Sequence, residues 1–275
     1  LIRDDKGPQT MQRQRAFTII ELLVVIAIIA VLIGLLFPVL GAIKRNARQT
    51  ENSSVVRGII QSMITYSGSN RNFFPGFDGF TFANNTAAGI TGPSAYGQCP
   101  EARYWIMLTD NYTTGDALIS PSESKSPWQR DEVTRENYSF AMLNLSTNPT
   151  TGTPNTADGN AYRREEWRNQ QNPLATLVTD RLAETASFAP TITNPTTYLS
   201  IHDGSEPGKW FGSIGFGDLS VDFSDTSSVE TRFAGYRNET DDIFTPGDGT
   251  GTGQEPLKNA EVTFSGVNQP MGFLE

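Results

Sequence analysis

Cysteine and histidine each occur once, as Cys99 and His202. One cysteine excludes an intrachain disulfide, so the fold draws no stability from such a bridge. It does not exclude an extracytoplasmic location. One histidine removes multi-histidine metal sites and argues against a zinc enzyme. A basic tract is missing as well. The formal net charge is −9, and an acidic chain without a basic stripe is a poor partner for nucleic acid. Apolar residues make up 37%, below the usual share for a globular domain. Much of that content is concentrated between Phe17 and Ile43, so the remainder is more polar still. From residue 67 onward Thr, Asn, Ser, Gly and Pro are frequent, which points to a β-rich, loop-rich domain rather than a helical bundle. The 275 residues suffice for one good-sized domain, or for a smaller one with an extended element.

What the chain does have is a long apolar run. From Leu22 to Ile43 no residue is charged. At about 1.5 Å per residue this is ~33 Å of helix, against a hydrocarbon core ~30 Å thick. The run is apolar around its whole circumference, which suits lipid or a protein-filled core better than one side of a globule. A secretory signal peptide is the first rival. Its apolar region is usually shorter, and only weak small-residue cleavage sites follow here, at Val39-Leu40-Gly41 and Gly41-Ala42. A plain signal anchor is the second rival, and hydropathy alone does not separate it.

Glu21 does help to separate them. A carboxylate in hydrocarbon costs roughly 2.5–3.5 kcal/mol at a helix centre and less near an end. One reading places it at the headgroup level. The other supplies a cation: cleavage between Ala16 and Phe17 would create an α-amine four residues before Glu21, one helical turn away on the same face. That amine could pair with its own glutamate or with a neighbour's. Cleavage there would also leave the helix attached to the mature chain.

The stretch Arg15-Ala16-Phe17-Thr18-Ile19-Ile20-Glu21-Leu22-Leu23-Val24-Val25-Ile26-Ala27-Ile28-Ile29-Ala30 closely resembles the N-terminal processing motif of type IV pilins and type II secretion pseudopilins. The resemblance implies that a prepilin peptidase cuts after a short basic leader and methylates the new N-terminal Phe17. Glu21 becomes the carboxylate that recruits subunits to a growing filament. Ala16 stands where the family usually has Gly. Met11 opens MQRQRA, a leader of the family's size, so Leu1–Thr10 reads as upstream read-through or an overlong start. Partners implied are the peptidase, other pilin or pseudopilin subunits and the inner membrane. The globular part would be periplasmic before assembly and on a filament or the cell surface after it. One feature disagrees: Lys44, Arg45 and Arg48 follow the run and only Arg13 and Arg15 precede it, so a positive-inside count does not clearly leave the leader in the cytoplasm.

The expected organisation is a leader over 1–16, a membrane or filament-core helix over 17–43, its amphipathic continuation over 44–67, and a β-rich domain over 68–275. The expected fold is α+β and pilin-like: a long N-terminal helix packed on an antiparallel β-sheet with large loop insertions. Gly34 and Pro38 are expected to interrupt the helix. Past the membrane, Val55, Ile59 and Met63 form the stripe that meets the sheet, while Lys44, Arg48, Asn52 and Gln61 mark the polar face. Ser67-Gly68-Ser69-Asn70 is the stop, and Asn72-Phe73-Phe74-Pro75-Gly76 a turn with aromatic anchors. Strands or short helices are expected at Arg103–Leu108, Tyr138–Leu143, Ala175–Thr179, Gly212–Phe216 and Leu219–Phe223. Arg163–Gln171 reads as a short helix or exposed turn, and Ser146–Gly159 and Thr240–Pro256 as loops.

A second resemblance is carried by short pieces in order: Ser120-Pro121-Ser122-Glu123, Tyr138 to Asn144, Asp180 after an apolar strand, Ser200-Ile201-His202-Asp203-Gly204, and Asp218 within Gly215–Phe223. They look like the processing-associated His…Asp-Gly C-terminal domain of large pilin-like proteins abundant in planctomycetes and verrucomicrobia. Ser120 replaces that pattern's Cys, Leu219 replaces the Gly after Asp218, and the His-to-Asp spacing is longer.

Catalysis has weak support. His202 with Asp180 and Asp218 could form a catalytic or metal cluster, but no G-x-S-x-G serine accompanies them. A hydrogen-bonded structural His202 and a turn-shaping Asp218 are the simpler expectation. No catalytic residue and no cofactor is assigned. Calcium is the one candidate ion, through Asp241, Asp242 and Asp248, without EF-hand spacing. The glycine-rich Gly247–Gly253 lacks the Lys-Ser/Thr of a phosphate loop. The rival to a filament subunit is a periplasmic enzyme or binding module on a pilin-type anchor. Trp105, Trp128, Trp167 and Trp210 would then line a glycan groove, or a polar groove would centre on His202.

Overall fold

The computed structural model describes residues 18–90, 97, 99–130, 132–143, 145, 164–184, 198–202, 204, 206, 208–231, 239–244 and 262–263. By internal contacts the chain divides into two units, Leu1–Lys44 and Arg45–Glu275. Helix α1 runs over Ile19–Ser69. Its Ile19–Phe37 portion is long and apolar enough to cross a membrane, and none of it is buried by protein. With no water at hand in hydrocarbon, a helix satisfies its own N–H and C=O groups. Gly34 and Pro38 do not interrupt it: helical structure is continuous through both. The end is a tight reversal. Asn70 and Asn72 N–H both donate to the Ser67 carbonyl, at 3.1 and 3.0 Å, and Arg71 and Asn72 take left-handed φ of 53° and 70°. Asparagine tolerates that region better than most residues.

In the second unit five strands form one antiparallel sheet. They are β1 (Phe140–Leu143), β2 (Thr176–Asp180), β5 (Gly212–Phe216), β6 (Val221–Ser224) and β9 (Val262–Thr263). The order is β6-β5-β2-β1-β9. Between β2 and β5 lie β3 (Leu182–Glu184) and β4 (Tyr198–Ser200), which pair with each other, as do β7 (Ser228–Thr231) and β8 (Glu239–Asp242). β1 and β2 are buried at every residue, as strands covered on both faces must be. Arg103–Leu108 resolves as a helix: α2, Pro100–Thr109, opens on a proline whose missing N–H costs nothing at that position. Thr240–Asp242 is strand rather than loop. Residues 146–163 and 245–261 lie outside the described residues.

The α1 stripe that meets the core is Val56, Ile59, Ile60 and Met63, all buried, with Val55 only partly so. Close approach to the sheet depends on a missing side chain. A Cβ on Gly215 of β5 would stand 2.3 Å from Ile60 Cδ1 and 2.7 Å from Val56 Cγ1. Around α2, the Tyr104 hydroxyl donates to the Phe140 carbonyl at 3.0 Å, and the buried Arg103 donates to the Gly97 and Leu143 carbonyls with its guanidinium 4.5 Å above the Trp167 ring. Trp167 is fixed by its indole N–H on the Pro75 carbonyl, 2.8 Å, and edge-on to Phe74. Arg163–Gln171 is therefore not simply exposed: a helical turn at 164–166 delivers buried Glu166 and Trp167 to the core.

Ile60→Ala should remove about 2–5 kcal/mol of stability, the range for truncating a large aliphatic in a close-packed core. Arg57→Ala, on the exposed side of the same helix, should change it by less than about 0.5 kcal/mol. Urea unfolding of the detergent-solubilised chain followed by tryptophan fluorescence measures both.

Candidate functional site

Two places carry chemistry. The first is the start of α1. Thr18 is the N-cap and Glu21 the third helical residue. Thr18 N–H and Oγ both donate to Glu21 Oε2, at 2.9 and 2.8 Å, and Glu21 N–H donates back to Thr18 Oγ at 3.3 Å. This reciprocal capping box satisfies helix-start donors that otherwise lack partners. Glu21 thus has a local partner within its own chain. Ala16 and Phe17 lie outside the described residues.

The second place is a buried polar network under the sheet, centred on Asp180, the last residue of β2. Asp180 and Asn52 expose no surface. Asn52 Nδ2 donates to both Asp180 carboxylate oxygens at 2.8 Å and to Ser213 Oγ at 2.9 Å. Ser213 N–H, on β5, donates to Asp180 Oδ2 at 2.6 Å. His202 Nε2 lies 2.9 Å from the same oxygen. On the other side of Asn52, Ser120 Oγ donates to its Oδ1 at 2.6 Å. Space for the carboxylate is made by Gly212, where a Cβ would come 2.7 Å from Asp180 Oδ2.

The network continues outward. His202 Nδ1 is 3.0 Å from Ser122 Oγ, and Ser122 is partly exposed. A carboxylate only accepts, so the imidazole carries its hydrogen on Nε2 when neutral. Nδ1 then accepts from the Ser122 hydroxyl. Below Ser122, Glu123 pairs with Arg181, the residue after Asp180, with Arg181 Nε 3.0 Å from Glu123 Oε1. Lys125 lies 3.9 Å from Glu123 and donates to the Arg135 and Tyr138 carbonyls at 2.7 and 2.6 Å. Burial pushes the Lys125 amine down to about 8, partly offset by Glu123.

Of the three residues grouped from sequence, Asp180 and His202 meet and Asp218 does not join them. Asp218 is exposed in the β5–β6 turn, where Oδ1 accepts from Ser220 N–H at 2.8 Å. Leu219 beside it takes a φ of 71°, a left-handed conformation that glycine adopts freely. This is the position where the resembling pattern has Gly. Asp241 and Asp242 lie on β8, and Asp248 is outside the described residues. Among the described residues no cluster of three or more His, Cys, Asp or Glu could hold a metal ion. The tryptophans do not form an exposed groove: Trp167 and Trp210 are buried, and Trp105 and Trp128 pack against the core. Asn52 is the functional-looking residue that sequence reasoning misplaced. Its signal is positional, four residues before Val56 on the buried stripe.

A family model of the prokaryotic N-terminal methylation motif matches residues 11–37. No curated protein and no solved structure matches the chain. The motif, with the apolar helix it opens, supports a pilin-like or pseudopilin-like N-terminus.

Two expectations follow from the network. Asn52→Asp, which sets a second carboxylate against Asp180, should destabilise more than Asn52→Ala, whose cost is roughly 1.5–3 kcal/mol for a lost hydrogen bond to a charged group. Adding Asp180→Asn to Asn52→Asp should recover part of the loss in a thermal melt, because one charge and one amide are restored. Lys125 gives a pH signature. Its folded value of about 8 is below the ordinary amine's, so above pH 8 the unfolded chain holds a proton that the folded chain has shed, and stability rises with pH. Cys99, pushed up to about 12 by burial, opposes this above pH 9. The wild type should therefore gain about 1–2 kcal/mol relative to Lys125→Met between pH 8 and 9.5, read by urea titrations.

Proposed function

We propose that the chain is a structural subunit of a type IV pilus-like or type II secretion pseudopilus filament. The observation that carries this is the methylation motif over residues 11–37, with Glu21 held at the start of an apolar helix. Prepilin peptidase removes the leader between Ala16 and Phe17 and methylates the Phe17 amine. The helix holds the subunit in the inner membrane, with residues 68–275 in the periplasm. On assembly the Glu21 carboxylate takes the α-amine of a neighbouring subunit, and the apolar helices pack in the filament core. The second unit is of the His…Asp-Gly kind described above, and its polar network is structural. Calcium at Asp241, Asp242 and Asp248 has no further support.

A membrane-anchored enzyme draws on one observation, the chain from Asp180 through His202 to the partly exposed Ser122. Against it, the Ser122 and Glu123 N–H groups already donate to Ser120 Oγ and O, at 3.2 and 3.0 Å. Those two N–H groups are therefore not free to hold an oxyanion beside Ser122. The network is better suited to holding elements together than to acyl transfer.

Intact mass and N-terminal sequencing of the protein from its native membrane should give a chain beginning at N-methyl-Phe17. A chain that keeps Met11 would demote the helix to a plain anchor. Glu21→Ala and Glu21→Gln should both be processed, and both should enter fibres poorly. Glutamine can keep the capping box but not the charge. Normal fibres from Glu21→Gln would reduce Glu21 to a helix cap.

A further inference from the structure

Within the second unit α1 is held to the rest of the fold differently at its two ends. At the C-terminal end the ties are main-chain. Asn72 N–H donates to the Ser67 carbonyl at 3.0 Å, Asn169 N–H to the Asn72 carbonyl at 2.9 Å, and Phe74 N–H to the Trp167 carbonyl at 3.2 Å. The chain runs on from there into the fold, so this end cannot leave without unmaking the turn. At the other end Asn52 is the first buried residue of α1 among the described residues. Its one side chain joins three separate pieces: Asp180 at the end of β2, Ser213 on β5 and Ser120 in the loop before Glu123. Ser53 adds a hydroxyl contact to Ser213 at 2.9 Å. Between the two ends lie Val56, Ile59, Ile60 and Met63, held by apolar packing.

These ties respond differently to displacement. A hydrogen bond weakens steeply once its atoms part or misalign, and parting Asn52 from Asp180 leaves a buried carboxylate short of a donor. Apolar contacts are non-directional and yield gradually. A segment tied by its main chain at one end comes away from the other. Because α1 is continuous from Ile19, a pull on the apolar run reaches Asn52 before it reaches Val56 or Met63. Asn52 stands where a strap has its clasp, and Ser67–Phe74 where it has its hinge.

We propose that α1 is a strap that opens locally from its Asn52 end while the hinge end stays packed, with Asn52 and Asp180 as the clasp that sets how often it opens. This holds whether or not the chain enters a filament. Thiol labelling of the full chain in neutral detergent tests it, with rates at each site read by mass spectrometry after digestion. Val56→Cys places a thiol behind the clasp, and the native Cys99, fully buried, reports opening of the rest. Position 56 should label with a shallower urea dependence than Cys99, because local opening exposes less surface than global unfolding. Adding Asn52→Ala should raise the rate at position 56 about 10- to 100-fold, as for a lost hydrogen bond to a charged group. Ser120→Ala, a milder cut in the clasp, should raise it by less and serves if Asn52→Ala does not fold. Met63→Val, on the hinge side, should raise the rate at Cys99 and leave position 56 unchanged, since Met63 stays packed when the strap opens. Equal urea slopes at position 56 and Cys99 would overturn the proposal, because the stripe would then be exposed only on global unfolding. So would a Met63→Val effect at position 56 as large as at Cys99. An unchanged rate at position 56 in both clasp variants would overturn the role of Asn52.

Discussion

A carboxylate with no exposed surface cannot stand in a protein interior without donors, and the second unit is arranged around meeting that requirement at Asp180. The donors come from distant parts of the sequence: Asn52 from α1, the Ser213 backbone from β5, and His202 from the segment after β4. Each is committed in turn. Asn52 also receives Ser120, and His202 faces Ser122, so the loop before Glu123 is tied to the same point. An apolar contact tolerates small slips of a helix along a sheet. An amide on a buried carboxylate does not, because a displacement of one residue would take the Asn52 Nδ2 away from both Asp180 oxygens. The network therefore sets the register of α1 on the sheet, and the Val56–Met63 stripe supplies the bulk of the burial.

Much of the architecture was legible in the sequence because hydrophobic patterning is a strong signal over long elements. The helix was expected from Phe17 to Ser67 and runs from Ile19 to Ser69. Four strands of the sheet were expected within a residue or two, because short runs such as Thr176-Leu177-Val178-Thr179 lie between turn residues; β9, two residues long, was not. Asn52 was misread for a definite reason. A polar residue counts toward the solvated face in any periodicity template, and nothing local says that a carboxylate more than a hundred residues away will meet it. Asp218 was grouped with His202 because both belong to one resembling pattern. Nearness in a pattern does not imply nearness in space, and the β5–β6 turn carries Asp218 to the surface. Ser122 was quoted only as a neighbour of Ser120, and its relation to His202 depends entirely on tertiary structure.

At the other end of the molecule the same economy appears in a different solvent. Glu21 is costly in hydrocarbon, and the capping box with Thr18 partly meets that cost inside a single chain. Capping alone does not require a charge, since glutamine serves the same position. What the charge adds is an attraction to a cation. Filament assembly would supply that cation as the α-amine of another processed subunit. Under the proposed assembly, a capped Glu21 would be an intermediate state: satisfied well enough to wait in a membrane, and not so well that a neighbour's amine brings no gain.

The positive charge that follows the membrane segment is awkward for a simple positive-inside count. Topology signals act through the number of cations near a span and are indifferent to where each side chain points. Arg45 and Arg48 lie three apart on α1 and line a small recess with Ser122 and His202. Their place is set by the packing of the second unit as well as by nearness to the span, and a count of charges records only the latter.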